Sequence, residues 1–191
     1  MIKELGTALR VTVISIVTFG LVYPLVMTLF AQLLFPRQAN GSLISVNGRV
    51  VGSAIIGQLW TKPQYFHGRP SAAGKGYDPT STGGTNLGPT SKKLIEATKA
   101  TIAALEKENP GAAGAPPIDL VTSSGSGIDP DISPQAAYWE APRVAKARSI
   151  SVSSVNSIIA QHVSERTFGF LGEPHVNVLE LNLALDGTKP D

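Results

Sequence analysis

The 191 residues carry sixteen basic and fourteen acidic side chains, and only 16% of the chain is charged against 42% hydrophobic, where soluble proteins average roughly 25% charged. A net charge of +2 supplies no basic stripe for nucleic acid. The absence of cysteine excludes disulfides, iron–sulfur clusters and thiolate zinc sites, and three histidines leave little for a His-rich metal centre.

The hydrophobic excess lies near the N-terminus. Residues 11–35 contain no charged side chain. As a helix this run would extend about 37 Å, enough to cross a hydrocarbon core of ~30 Å with some tilt. Gly20 and Pro24 interrupt it, which membrane helices tolerate, and a kink is expected near Pro24. A cleavable signal peptide would have an apolar region of about 7–15 residues followed by small residues. This run is longer, and its best cleavage candidate, Leu29-Phe30-Ala31, has Leu where a small residue belongs. The expected organisation is a short cytoplasmic N-terminus over 1–10, a retained transmembrane helix over 11–35 and one extracytoplasmic domain over 36–191. Lys3 and Arg10 precede the span and Arg37 follows it, so the positive-inside rule favours a cytoplasmic N-terminus. Thr12, Ser15 and Thr18 recur every third residue. They are candidates for contact with partner helices, or for bonding their own backbone.

Beyond the span, the stretches 42–46 and 49–57 flank Asn47-Gly48, a strong hairpin signal. Residues 64–89 are rich in Gly, Pro, Ser and Thr and read as one long loop; loops of that length are usually functional or disordered. A helix is expected over 91–108, capped by Thr90 or Ser91 and stopped by Asn109-Pro110. Residues 111–117 read as a connector and 118–122 as a short strand. Ser133-Pro134 reads as a cap and first helical position, with a second start at Pro142 running to Arg148. Ser151 caps a further helix with Val152, Val155, Ile159 and Val163 on one face. Residues 176–185 alternate and favour a strand, although a Leu-rich decamer after Pro174 can also be helical. The expected fold is α+β or mixed α/β on a single N-terminal transmembrane helix.

Three segments invite a chemical reading. Gly83-Gly84-Thr85-Asn86-Leu87-Gly88-Pro89-Thr90 resembles a phosphate loop, but Pro89 stands where lysine is required and offers no N–H. Residues 123–133 offer hydroxyls with Asp129 and Asp131, for which a turn, a cap at Ser133, a cation contact or a partner contact are alternatives. Tyr65, Phe66, His67 and Arg69 crowd a turn-rich loop and suit an interface, since Arg and Tyr are favoured anchors. No serine, histidine and acid cluster as in a hydrolase motif. The residues alone thus leave two readings open: a partner subunit, or an anchored enzyme or sensor using Asp129, Asp131 and Ser133.

A series of motifs in register resembles a known family. After the span ending near Phe35-Pro36 come Gly52-Ser53, Ile56-Gly57-Gln58 and Tyr65-Phe66-His67-Gly68-Arg69-Pro70-Ser71-Ala72. Asn86-Leu87-Gly88-Pro89, Asp119-Leu120-Val121-Thr122 and Gly125-Ser126-Gly127-Ile128-Asp129-Pro130 follow, then Ile132-Ser133, Arg143-Val144-Ala145 and Ala147-Arg148. The series closes with Gly172-Glu173-Pro174 and the stretch from Val176 to Asp186. Together they resemble the C subunit of the bacterial Kdp potassium-transporting ATPase, the KdpC family. The chain departs from that pattern at Gly84-Thr85, where Gly-Ser is common, at Asp131, where His is common, and at His175, where Arg is frequent. Any role requiring a histidine at 131 does not carry over.

The resemblance implies an accessory subunit of a high-affinity ATP-driven potassium uptake complex, with no catalytic residues, cofactor or metal of its own. ATP and potassium would be handled by the complex. Its partners would be a channel-like potassium-binding subunit, a P-type ATPase subunit, a further small membrane peptide and the lipid bilayer, with no nucleic acid. The place would be the bacterial inner membrane. The resemblance also implies a catalytic chaperone role that raises the pump's affinity for ATP. Candidate interface residues are Tyr65, Phe66, His67, Arg69, Asn86, Asp129 and Asp131, with Thr12, Ser15 and Thr18 as transmembrane contacts.

Overall fold

The computed structural model describes residues 2–188. The chain divides after Leu43 into a helical N-terminal unit and a C-terminal lobe.

The N-terminal unit is a long helix in three parts: α1 (Ile2–Val17), a π-helical turn (Thr18–Val22) and α2 (Tyr23–Leu34). Pro24 lacks an N–H, and its ring would press on the carbonyl one turn back. The widened turn resolves this conflict: the Tyr23 N–H reaches back five residues to the Thr18 carbonyl. The expected break therefore takes the form of one π turn just ahead of the proline. From Glu4 to Leu34 the helix is 31 residues long, apolar and 0% buried, which makes it long enough to cross a bilayer. It ends at Phe35, and α3 (Pro36–Ala39) adds one turn. There Asn40 Nδ2 donates to the Pro36 carbonyl at 2.6 Å and to Gln32 Oε1 at 3.0 Å.

The lobe opens with a hairpin, β1 (Leu43–Val46) and β2 (Arg49–Ser53). Asn47 and Gly48 take φ of 52° and 72°, as the tight hairpin turn requires. No helix or strand follows until α4 (Lys92–Glu108), whose N-cap is Ser91. Next come α5 (Ile118–Val121), β3 (Asp131–Ile132), α6 (Pro134–Arg148), α7 (Val152–His162), β4 (Val163–Ser164), β5 (His175–Asn177) and α8 (Val178–Leu185). The three short strands form an antiparallel sheet in the order β3-β5-β4, with Val176 facing both Ile132 and Val163. The core lies between this sheet and α6, α7 and α8. Ile132, Val144, Val155, Ile159, Val176 and Leu181 are all buried there. The lobe is therefore α+β.

Two expectations are corrected, and a third segment, left open between strand and helix, is decided. Residues 118–121 form a helical turn, not a strand. Pro116 and Pro117 remove two N–H donors that a strand would need. Pro117 caps the turn, and the Ile118 carbonyl accepts both the N–H and the Oγ1 of Thr122. Pro142 does not restart a helix but sits inside continuous α6. Ala137, Ala141 and Val144 share one buried face across it, so burial outweighs the cost of an internal proline, about 3 kcal/mol. Residues 176–185 are strand only to Asn177, whose side chain then caps α8 by accepting the Glu180 N–H at 3.2 Å. Val178, Leu181 and Asn182 are buried and Leu185 packs beside them, a helical spacing hidden inside the alternation. On α7 the expected face is realised at Val155 and Ile159, while Val152 stays exposed.

Candidate functional site

The long segment 57–90 has no regular secondary structure, so side chains from the helices satisfy its backbone. Arg143 on α6 donates through Nη1 to the carbonyls of Pro63 and Tyr65, at 2.6 and 2.9 Å, and through Nε to Asn109 Oδ1 at 2.9 Å. Its Nη2 contacts Glu140 Oε1 one turn earlier. Glu140, fully buried, accepts the His67 N–H on Oε2 at 3.0 Å. Asn182 on α8, also fully buried, holds Phe66 from both sides: the Phe66 N–H donates to Oδ1 at 2.8 Å and Nδ2 donates to the Phe66 carbonyl at 3.0 Å. An asparagine thus does what a neighbouring strand would do. At the edge, Arg148 Nε donates to the Gln64 carbonyl at 2.7 Å, and the Arg148 guanidinium lies 5.0 Å from the Tyr65 ring centre. The Tyr65 hydroxyl and Arg148 Nη2 both donate to Asp186, at 3.0 and 2.7 Å.

A second network ties residues 69–84 to 125–131. Arg69 Nη1 donates to Asp129 Oδ2 at 3.0 Å, Ser71 Oγ to the Gly127 carbonyl at 2.5 Å, and the Gly83 N–H to the Ser126 carbonyl at 2.8 Å. The Tyr77 hydroxyl donates to the Arg69 carbonyl at 2.5 Å. Gly127 is at φ +72°, and a Cβ there would lie 2.7 Å from the Gly83 oxygen. Gly84 likewise serves close loop-on-loop approach; a Cβ there would meet the Gly125 oxygen at 3.2 Å. The two loops singled out from the sequence form one joined surface. Between the first of these loops and α4 lies a cleft of about 410 Å³, lined among others by Trp60, His67, Arg69, Lys75, Tyr77 and Glu108.

Burial governs the titration of these groups. It pushes the Glu140 carboxyl up to about 7, against the opposing pull of the Arg143 guanidinium and the His67 N–H. It holds the His67 imidazole below its usual range, with Arg143 adding to the effect. It raises the Tyr77 phenol to about 12, helped by the Asp129 charge, so Tyr77 stays a donor. Asp131 is raised by burial against the nearby His175. Among the described residues no group of three His, Asp or Glu side chains is placed to hold a metal ion.

The sequence candidates therefore separate. Arg69, Asp129 and Asp131 share the joined loop surface; the Asp131 N–H donates to Asp129 Oδ1 at 3.1 Å. Tyr65 and His67 belong to the network around Arg143 and Arg148, and the His67 side chain is only 16% exposed. Phe66 is corrected outright: its ring is 0% exposed and fills the core, so it presents nothing to a partner. Asn86 is exposed, at φ 51°. Thr12 and Ser15 lie on α1 and Thr18 opens the π turn. Ser133 is a helix cap, accepting the Ala136 N–H at 3.0 Å. Two departures from the family pattern meet: His175 Nε2 lies 4.0 Å from Asp131 Oδ2. They form a His–Asp pair across β3 and β5. Sequence reading missed Glu140 and Asn182. The signals were there: a carboxylate on an alanine-rich stretch three residues before Arg143, and an asparagine inside a leucine run.

Many of the polar anchors fall in the motifs at 65–72, 125–130, 143–148 and 176–186, with Glu140 and Asn109 outside them. Residues 5–187 match the family described as K+-transporting ATPase, c chain. The chain belongs to the KdpC family. It is 51% identical over 191 residues to the potassium-transporting ATPase KdpC subunit of Koribacter versatilis, covering 100% of this chain and 97% of that one. It is 56% identical over 195 residues to the KdpC subunit of Myxococcus xanthus, covering 100% and 92%. The KdpC subunit of Acidobacterium capsulatum is 55% identical over 184 residues, covering 96% and 98%. Membership in KdpC makes the chain a subunit of a potassium-transporting ATPase. The buried networks then read as scaffolding that holds the irregular loops in one shape.

Proposed function

We propose that this chain is the accessory subunit of a high-affinity, ATP-driven potassium uptake complex, needed for assembly and activity and without chemistry of its own. The observation that carries the reading is the family match from residue 5 to residue 187. The apolar helix from Glu4 to Leu34 supports a membrane anchor; in this reading it lies in a bacterial inner membrane, with residues 1–10 cytoplasmic and the domain from 36 onward outside, the orientation that Lys3 and Arg10 favour. Thr12, Ser15 and Thr18 would meet partner helices. The partners would be a channel-like potassium-binding subunit, a P-type ATPase subunit and a further small membrane peptide.

In this reading ATP and potassium are handled by the partners. A domain on the far side of the membrane from the nucleotide would raise ATP affinity through conformation, by binding one state of the pump better than another. The joined surface carrying Arg69, Asp129 and Asp131, with Tyr65, His67 and Asn86, would dock on the outer face of the channel-like subunit. Loops held by a scaffold are where such contacts concentrate.

The test is a tagged pull-down from gently solubilised native membranes, with potassium-stimulated ATPase activity assayed in the eluate. Recovery of large polytopic partners with potassium-dependent activity is the expected result. A chain eluting alone and inert from cells that express the pump would overturn the reading. Nucleotide crosslinking to the lobe in an oriented, intact complex would overturn the conformational route. Arg69→Ala should lose assembly or transport while the lobe stays folded, since the Arg69–Asp129 pair, with side chains 26% and 29% exposed, contributes on the order of 1 kcal/mol.

A further inference from the structure

A three-residue hairpin between β4 and β5 has no role in the networks above. The Thr167 N–H donates to the Leu171 carbonyl at 2.9 Å and the Leu171 N–H to the Thr167 carbonyl at 3.0 Å. Arg166 and Glu173 pair across its stem. The closed tip presents Phe168, Gly169 and Phe170. Phe168 is 84% exposed, more than any other large apolar side chain among the described residues, and Phe170 is 69% exposed.

Two observations point away from a structural purpose. Phe168 sits at φ 55° and Gly169 at φ 79°. Left-handed backbone disfavours a bulky residue, and turns of this kind select Asn, Asp or Gly. A ring this exposed makes too few contacts to offset that strain, and strained residues kept at a surface cluster at functional sites. The charges also discriminate between occupants. Glu165, Arg166 and Glu173 leave the finger with an excess of one negative charge, its single arginine already paired. Segments that bind bilayers carry Lys and Arg instead.

We infer that the 167–171 finger is a docking anchor. Its two phenylalanines seat in an apolar pocket with a basic rim on another subunit of the potassium-transporting ATPase. The inference rests on the accessory-subunit reading, and it adds a contact separate from the Arg69 and Asp129 surface. Paired, rigid aromatic side chains on a pre-formed turn lose little conformational freedom on binding, which is what an interface anchor requires.

The test uses the full chain co-expressed with the pump. With a photo-reactive phenylalanine analogue at position 168, irradiation of native membranes should join the chain to another pump subunit. Adducts only with lipid, only with a second copy of this chain, or with nothing would overturn the inference. In parallel, Phe168→Asn should lower co-purified pump subunits at least tenfold, while the melting temperature of the purified chain stays the same or rises, because Asn fits the left-handed turn. Undiminished co-purification would overturn the anchor, and so would a fall in melting temperature, which would make the ring structural. The parent chain's pull-down, run alongside, reports separately on whether the chain assembles at all.

Discussion

Arg143 illustrates how a single side chain can stand in for absent secondary structure. It satisfies the carbonyls of Pro63 and Tyr65, the Asn109 amide oxygen and the Glu140 carboxylate at once. Removing one partner of a buried ion pair strands the other, at a cost of about 3–5 kcal/mol. Arg143→Ala should therefore shift the urea midpoint strongly, and increased proteolysis within 62–68 should accompany it. The neighbouring groups fix the pH dependence. The Glu140 carboxyl titrates near 7 in the fold against 4.5 for a free glutamate, so the native state binds the extra proton between those values. Its contribution is complete below pH 4.5 and is lost as pH rises through about 7. Asp131, also raised, acts in the same sense. His67 acts oppositely: its lowered value favours the neutral ring, a contribution present above 6.5 and lost as pH falls through the lowered value. Urea titrations of parent and Glu140→Gln chains should show the parent's relative stability declining from pH 4.5 to 7. A difference constant across that range would remove Glu140 as the titrating group.

Among the elements, the helices capped by serine were legible from the sequence, whereas the Asn177 cap of α8 was not. Ser91, Ser133 and Ser151 each accept an N–H three residues on, as expected from the sequence. The sequence reading was open or wrong where short-range pattern and tertiary burial pointed different ways. In 176–185 the apolar residues alternate with one slip at Leu179, yet the chain turns helical because Val178, Leu181 and Asn182 fit one buried stripe. At Pro142 the local breaker lost to a continuous buried face. The joined loops depend on glycine in a way the sequence shows only as composition. Gly127→Ala would place a methyl 2.7 Å from the Gly83 oxygen at a left-handed φ, and overpacking of this kind costs about 1–3 kcal/mol. Thermal melting should register that loss, with co-purification of pump partners falling by more than stability alone accounts for if this surface docks.

For the whole molecule, the decisive feature is an apolar helix of 31 residues attached to an α+β lobe. Each arginine at the centre of a spanning helix costs about 2.5–3.5 kcal/mol on the insertion scale. Leu21→Arg with Leu25→Arg, both now exposed on the helix, should move the chain from the membrane to the soluble fraction on carbonate extraction. Retention in the membrane would mean that the span is held by something other than its own hydropathy. Reporter fusions at the two ends should place the N-terminus inside and the lobe outside. The sequence by itself determined the long apolar helix, the Asn47-Gly48 hairpin, the helices capped by Ser91, Ser133 and Ser151, and the family, because hydropathy, turn stereochemistry and capping are local properties that act within a few residues. The tertiary structure decided what the polar residues are for. Arg69 and Asp129 lie sixty positions apart, and Phe66 and Asn182 more than a hundred. Their partnership follows from a backbone that leaves long irregular segments unsatisfied, and only the folded chain shows which distant side chain answers each unsatisfied group.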